Sequence, residues 1–383
     1  MAVEAMPQPA ADGADHAAST APTWFPCPGC DRIVTSLVRE CPEAGHHVYS
    51  STHCCRPCEA RAPEGHGQDC WGCAGVPSQI FREVRLPGHA APAHYILHDP
   101  GPEAAGGMPL PAALFLHGSM TYLYPEGLWY DLKCLVEKNA VVARNFIIVA
   151  PFGSVGEPVA QTSEWTKANR FRVDVPYVEK FDEDATWATF LGALRALGPG
   201  RADPARLHVF GYSMGAQATW NIAVRYGSRL ASIAPIAGSC SWSGDAWANQ
   251  EAHLAELHSL PIWAYCGAKD TRTVSWRDLW WLADRRGLAS KPAEREVDVQ
   301  VPTASLTLHE WSEELFLGLV QDHSERHSDH CIWDPIFHNE DGFRLFSRMM
   351  AARCSTPLSA ALEAEPPFPA SRRNDSGAPP PLS

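Results

Sequence analysis

The sequence predicts a doubly wound, mostly parallel α/β sheet preceded by a small Cys/His-rich module. Three observations carry this reading. Short apolar runs alternate with helix-length stretches from about residue 79 to residue 352. Eight of the 13 cysteines crowd into the 47 residues from Cys27 to Cys73. The residues with chemical potential each follow an apolar run, where such sheets place their sites.

The elements follow in order. Residues 1–26, opening MAVEAMPQPAADGADHAAST, are rich in Ala, Pro and small polar groups and are expected to be a disordered tail. They show no basic start followed by an apolar run, so no secretory signal is visible and a cytoplasmic location is expected. Residues 27–75 form the Cys/His-rich module. In the domain spanning 79–352, QIFREVRL and HYILH suit antiparallel edge strands. The runs 112–116 (AALFL), 146–150 (FIIVA), 207–210 (LHVF), 232–236 (SIAPI) and 262–265 (IWAY) suit buried parallel strands. Helices are expected at 127–138, 185–197, 214–225, 274–286 and 336–350. Residues 353–383 hold seven prolines among 31 residues and read as an unstructured tail.

Composition excludes several functions. With 31 Lys+Arg against 44 Asp+Glu, the net charge of −13 gives no electrostatic case for nucleic acid or an anionic membrane as partner. No stretch approaches the 18 apolar residues of a membrane span. At 45% hydrophobic, with 14 Trp, 14 Phe and 9 Tyr, the chain has ample material for a core.

Gly211-Tyr212-Ser213-Met214-Gly215 is a G-x-S-x-G pentapeptide, which roughly one chain in seven of this composition would carry by chance. Context sharpens it. LHVF runs straight into the motif and AQATWNIAVRYG after it suits a helix, the strand–turn–helix setting that lifts a serine hydroxyl above a sheet. A serine in an ordinary glycine turn is the alternative. A serine nucleophile needs a base, and the base needs an acid to fix its tautomer. On this architecture the chain order is Ser, then Asp or Glu, then His.

Asp270 is the leading acid, because it follows the apolar run in PIWAYCGAKDTRTV; a helix N-cap is its alternative role. Asp245, Asp278 and Asp284 lack that preceding strand. Among the late histidines His309, His323, His327, His330 and His338, the choice is His330, in SDHCIWDPIF immediately before the last expected helix. His323 and His327 lie in a polar run and read as solvated residues. Acyl transfer also needs amides aimed at the carbonyl oxygen as it becomes tetrahedral. The backbone amides of Met214 and Ser119 are the candidates, the second following the run FLHG, where His117 reads as structural.

These blocks together resemble the phospholipase/carboxylesterase group of α/β-hydrolases, in particular its "predicted peptidase" and feruloyl-esterase-like branch. The resemblance rests on DPARLHVFGYSMGAQATWNIAVRYGSRLASIAPIAG, with Asp203, Arg206, Ser213, Met214, Gly215, Trp220 and Gly238 in the family pattern. FLHGS is similar to that family's oxyanion block, PIWAYCGAKDTRTV to its acid block, and DHCIWDPIF, with His330 and Trp333, to its base block. It covers about residues 112–350. It implies an α/β-hydrolase fold and a serine hydrolase cleaving carboxylic esters through an acyl-enzyme, without a cofactor for catalysis. Two departures stand out: Ala216 replaces a common Gly, and residues 306–328 read as an insertion, suited either to a lid or to a shifted position of the base histidine.

In the N-terminal module, CPGC and CWGC flank further Cys and His residues. Two thiolates two residues apart clasp one zinc ion, and the set Cys27, Cys30, Cys41, His47, Cys55, Cys58, Cys70 and Cys73 would fill two four-ligand structural sites. A disulfide framework is the rival, and needs an oxidising compartment. A segment this poor in aliphatic residues requires one or the other to fold.

The expected function is therefore a serine esterase acting on a small-molecule or polysaccharide-linked ester, with the module offering a surface for a protein partner. Two alternatives stay open: an interaction protein whose zinc module works beside an inactive hydrolase scaffold, and a peptidase or acyl-thioesterase using the same triad. Trp165, Trp242 and Trp247 fall in candidate loops and suit either a pocket lining or ordinary packing.

Overall fold

Every residue of Leu110–Leu116 is buried, as an unbroken apolar run demands of a strand covered on both faces. The computed structural model places this run near the middle of a ten-stranded sheet. It describes residues 24–26, 32–35, 76–89, 91–104, 106–118, 125–152, 181–239, 255–270, 275–288, 291–297, 306–312, 317–323, 330, 332–337 and 344–354. The eight zinc-ligand candidates, Ser119, Trp165, Trp242, Trp247, Asp245, His327 and His338 lie outside the described residues.

The elements, in chain order, begin with β1 (Trp24–Pro26), β2 (Arg32–Thr35), β3 (Val76–Pro77), β4 (Phe81–Val84), β5 (Ala93–His98) and β6 (Leu110–Leu116). Helices α1 (Pro125–Lys138) and α2 (Ala140–Asn145) lead to β7 (Ile147–Pro151), and α3 (Glu183–Ala196) to β8 (Ala202–Tyr212). Then come α4 (Met214–Tyr226), β9 (Ser232–Ile236), β10 (Ile262–Gly267), α5 (Ser275–Arg285), β11 (Ala293–Val297), β12 (Leu306–Ser312) and β13 (Leu317–Asp322). Two short helices, α6 (Trp333–Phe337) and α7 (Leu345–Ala351), follow. Local chemistry sets several starts: the Asp182 carboxylate accepts from the Ala185 amide at 2.8 Å to cap α3, and Asn139 caps α2 through the Val142 amide at 3.0 Å.

The large sheet runs β11-β12-β13-β10-β9-β8-β6-β7-β5-β4. Its centre, from β13 to β7, is parallel, and antiparallel strands flank it on both sides. Alternate residues feed two cores, one per face. Leu114, Leu116 and Val209 join Trp220 of α4 on one side; Ala113, Phe115 and Phe210 join Leu132 of α1 and Phe346 of α7 on the other. From β6 the chain moves to β7 on one side and then to β8 on the other. That reversal is a topological switch point, and sheets of this kind place their sites beyond the carboxyl ends of the strands there, here β6 and β8.

The structure corrects several expectations. The stretch 306–328, read as an insertion, contains two strands of the sheet: β12 and β13 pair antiparallel, and β13 also pairs parallel with β10. In place of the single helix expected over 336–350 the described residues form α6 and α7, and Arg344, in the left-handed region at φ 68°, marks where α7 begins, since a right-handed helix cannot run through it. Residues 24–26, assigned to the disordered tail, form β1 of a three-stranded sheet, β1-β2-β3, in which the aromatic pair Trp24-Phe25 suits a strand. Of the two antiparallel strands expected at an edge, only β4 is one, since β5 lies between β4 and β7. Beyond residue 352, the Cys354 amide still donates to the Ala205 carbonyl at 2.8 Å. Among the described residues no helix is long and apolar enough to cross a membrane.

Candidate active site

Ser213 occupies the bend between β8 and α4 with φ 54° and ψ −116°, a conformation rarely adopted by a residue with a Cβ. Its surroundings enforce it. The Ser213 amide donates to the Ile236 carbonyl of β9 at 2.9 Å, and its carbonyl accepts from the Ala216 amide at 3.0 Å. A Cβ on Gly211 would meet the Leu116 carbonyl oxygen at 2.5 Å, and one on Gly215 would meet that of His117 at 2.7 Å. The two glycines let the bend press against the end of β6. Strain of this kind costs on the order of 1–3 kcal/mol, and persists because packing over-determines it.

Three chain-distant residues converge there. The Ser213 hydroxyl donates to His330 Nε2 at 2.9 Å. His330 Nδ1 lies 2.9 Å from Asp270 Oδ2. An ionised carboxylate only accepts, so Nδ1 carries the hydrogen and Nε2 is left as the acceptor facing the serine. Asp270 has no exposed side-chain surface, whereas His330 keeps 12%. Three strand ends supply the members: Ser213 follows β8, Asp270 follows β10, and His330 follows β13. The Asp270 turn is closed by its own amide donating to Gly267 at 3.1 Å, and is tied to β13 by the Ala268 amide donating to the Asp322 carbonyl at 2.8 Å.

The field of the site shows in its neighbours. Burial, reinforced by the Asp270 carboxylate, pushes the Cys266 thiol up to about 12, so it is a neutral, inert core group. Burial lowers His117 to about 4, against the opposing effect of its Nδ1 contact with the Gly118 carbonyl at 2.7 Å. His117 is thus a neutral, fully buried residue at the end of β6.

Met214 begins α4, and the first amides of a helix have no acceptor within it. They form the positive end of the helix dipole.

The other described candidates lie away from this row. Asp278 is buried on α5, while His309 on β12 contacts the Gln321 side chain at 2.9 Å and Glu294 at 3.5 Å. His323 is exposed after β13. Sequence reasoning missed Tyr212 and Asp131. The Tyr212 hydroxyl donates to Asp131 Oδ2 at 2.6 Å, and the ring stacks on Trp333 at 4.5 Å. No local signal marks a pair 81 residues apart in sequence. Among the described residues no cluster of three or more His, Cys, Asp or Glu is arranged to hold a metal.

No family model matches the chain, and no curated protein does. Among solved structures, a thermostable esterase is similar at 17% identity and TM-score 0.43, the match covering 72% of this chain and 64% of that one. This chain therefore spans less than two thirds of that esterase's length. An S-formylglutathione hydrolase from Agrobacterium tumefaciens is similar at 16% identity and TM-score 0.41, over 70% of this chain and 94% of that one. A ferulic acid esterase is similar at 15% identity and TM-score 0.38, over 54% of this chain and 86% of that one. What the described residues themselves form is a mixed α/β sheet whose carboxyl edge gathers a serine, a histidine and an aspartate into one hydrogen-bonded row.

Proposed function

We propose that the chain is a serine hydrolase of the α/β-hydrolase type that cleaves carboxylic esters. The observation carrying this reading is the unbroken row from Ser213 Oγ through His330 to Asp270, with 2.9 Å at each step. In the proposed reaction Ser213 Oγ attacks the acyl carbonyl while His330 Nε2 takes its proton. The buried Asp270 carboxylate balances the imidazolium that forms. The Met214 amide, at the head of α4, holds the oxygen as it becomes negative; the Ser119 amide is the second proposed donor, on sequence grounds. The proton on His330 passes to the departing alcohol, leaving Ser213 acylated. Water, activated by the same imidazole, then releases the acid and restores the serine.

The Cys/His-rich segment 27–75 is proposed as a structural zinc module holding two ions through Cys27, Cys30, Cys41, His47, Cys55, Cys58, Cys70 and Cys73. That proposal rests on ligand spacing. Elemental analysis of the purified full chain should find about two zinc ions per molecule; finding none, with the thiols paired as disulfides, contradicts it.

The hydrolase reading is tested by turnover of p-nitrophenyl acetate, feruloyl esters, longer acyl esters, acyl thioesters and peptide amides by the full chain. Ester cleavage that vanishes in Ser213→Ala, and falls steeply in His330→Ala, is expected. Preference for thioesters or amides over every ester would reassign the substrate class while keeping the row of residues. No turnover of any of them would favour the inactive scaffold.

A further inference from the structure

Tyr212 precedes the serine, yet its ring is bound to more than its own strand. The hydroxyl donates to Asp131 on α1 at 2.6 Å, a charge-assisted bond that pins the far end of the ring. One side stacks on Trp333 of α6 with centroids 4.5 Å apart and planes 22° from parallel. Trp333 in turn meets the His330 imidazole edge-to-face, at 5.4 Å and 86°. The ring also packs against Gly118 at the end of β6 so closely that a Cβ there would lie 2.6 Å from Tyr212 Cε2. Tyr212 is only 4% exposed. A space-filling residue needs no hydroxyl, and a phenylalanine would serve. Here the hydroxyl is anchored to a helix whose Asp131 has no other place in the proposed chemistry.

We propose that Tyr212, anchored by Asp131, is a positioning residue that sets the angle at which His330 meets Ser213, acting through Trp333. The inference rests on the reading of Ser213 and His330 as nucleophile and base. Among the described residues the His330 ring is hydrogen-bonded to Ser213 and Asp270, one at each nitrogen, so its tilt about that axis is left to packing. Trp333 supplies that packing, and Tyr212 holds Trp333. Displacing a reacting group by about 1 Å costs on the order of a hundredfold in rate, so the smaller tilt allowed by a loosened stack should cost about tenfold.

The test is a double-mutant cycle in the full chain, with Tyr212→Phe, Asp131→Ala and both together. Rates are read as kcat and KM on a p-nitrophenyl ester and as the rate of fluorophosphonate labelling, beside the thermal midpoint. Each single change should lower kcat about tenfold with KM nearly unchanged, and the double change should lower it no further, since both remove one bond. Trp333→Leu should cost more and Trp333→Phe should restore most of the loss, which keeps the proposal testable if the Tyr212 variant unfolds. Unchanged kcat and labelling in Tyr212→Phe, or losses that multiply in the double variant, overturn the positioning role while Ser213→Ala still abolishes labelling. Labelling that survives Ser213→Ala overturns the hydrolase reading and this inference with it.

Discussion

His330 Nδ1 lies 2.9 Å from Oδ2 of Asp270, a carboxylate with no exposed surface. Burial of the carboxylate makes this contact directional and makes its charge hard to replace. Asp270→Asn keeps the volume but removes the charge that stabilises an imidazolium and frees the choice of tautomer. A loss of kcat on the order of 10³–10⁴ is expected, with the far-ultraviolet circular dichroism of the native chain retained. A loss under tenfold would place the acid elsewhere.

Ser213 holds φ 54°, where a Cβ is strained and glycine is not. Ser213→Gly should therefore raise stability by about 1 kcal/mol in denaturant titration while abolishing ester turnover. Ser213→Ala should abolish turnover without that gain. Equal stabilities for the two variants would contradict strain at the bend.

Gly215 lies against the β6 carboxyl end, where an added Cβ would run into the backbone oxygens of Leu116 and His117. Backbone on both sides leaves nothing flexible to yield. Gly215→Ala is expected to cost more than about 2 kcal/mol and to lower the soluble yield. A native-like unfolding midpoint would show that the elbow relaxes more easily than this geometry allows.

Stability should fall with acid below neutrality. Burial lowers His117 from 6.5 to about 4 and His208 from 6.5 to about 3, with both fully buried and neutral in the fold. The unfolded chain takes up these protons first. Their contribution is fully present above about pH 6.5 and is lost progressively as pH falls toward 4 and then 3. Urea midpoints from pH 7.5 to 4.5 should decline, and His208→Gln should flatten the slope. A pH-independent midpoint would mean that these rings are not buried as described.

The elbow was legible because its signals are local: an apolar strand, two glycines and a helix within about 20 residues. Asp270 was placed there for a similar reason, as the first carboxylate following PIWAY. The choice of His330 over four other histidines came from its block, DHCIWDPIF, and the structure brings that ring to Ser213. Strands β12 and β13 were not legible. LTLHEWS and LGLVQD mix polar groups with short apolar runs, and what makes them strands is pairing across the sheet. The break before Arg344 did carry a signal in the sequence, the turn-favouring pair Asp341-Gly342, which the reading of one helix over 336–350 passed over. The Tyr212–Asp131 bond joins residues on β8 and α1, so neither segment alone could disclose it.

Site-resolved trapping of the nucleophile reports whether Ser213 is the reactive hydroxyl. The native chain is incubated with a fluorophosphonate near neutral pH, digested, and mapped by mass spectrometry. The account predicts a single phosphonyl adduct on the peptide containing Ser213, formed at a rate that His330→Ala reduces sharply. An adduct on another residue, or labelling of Ser213 that is indifferent to the loss of His330, would contradict it.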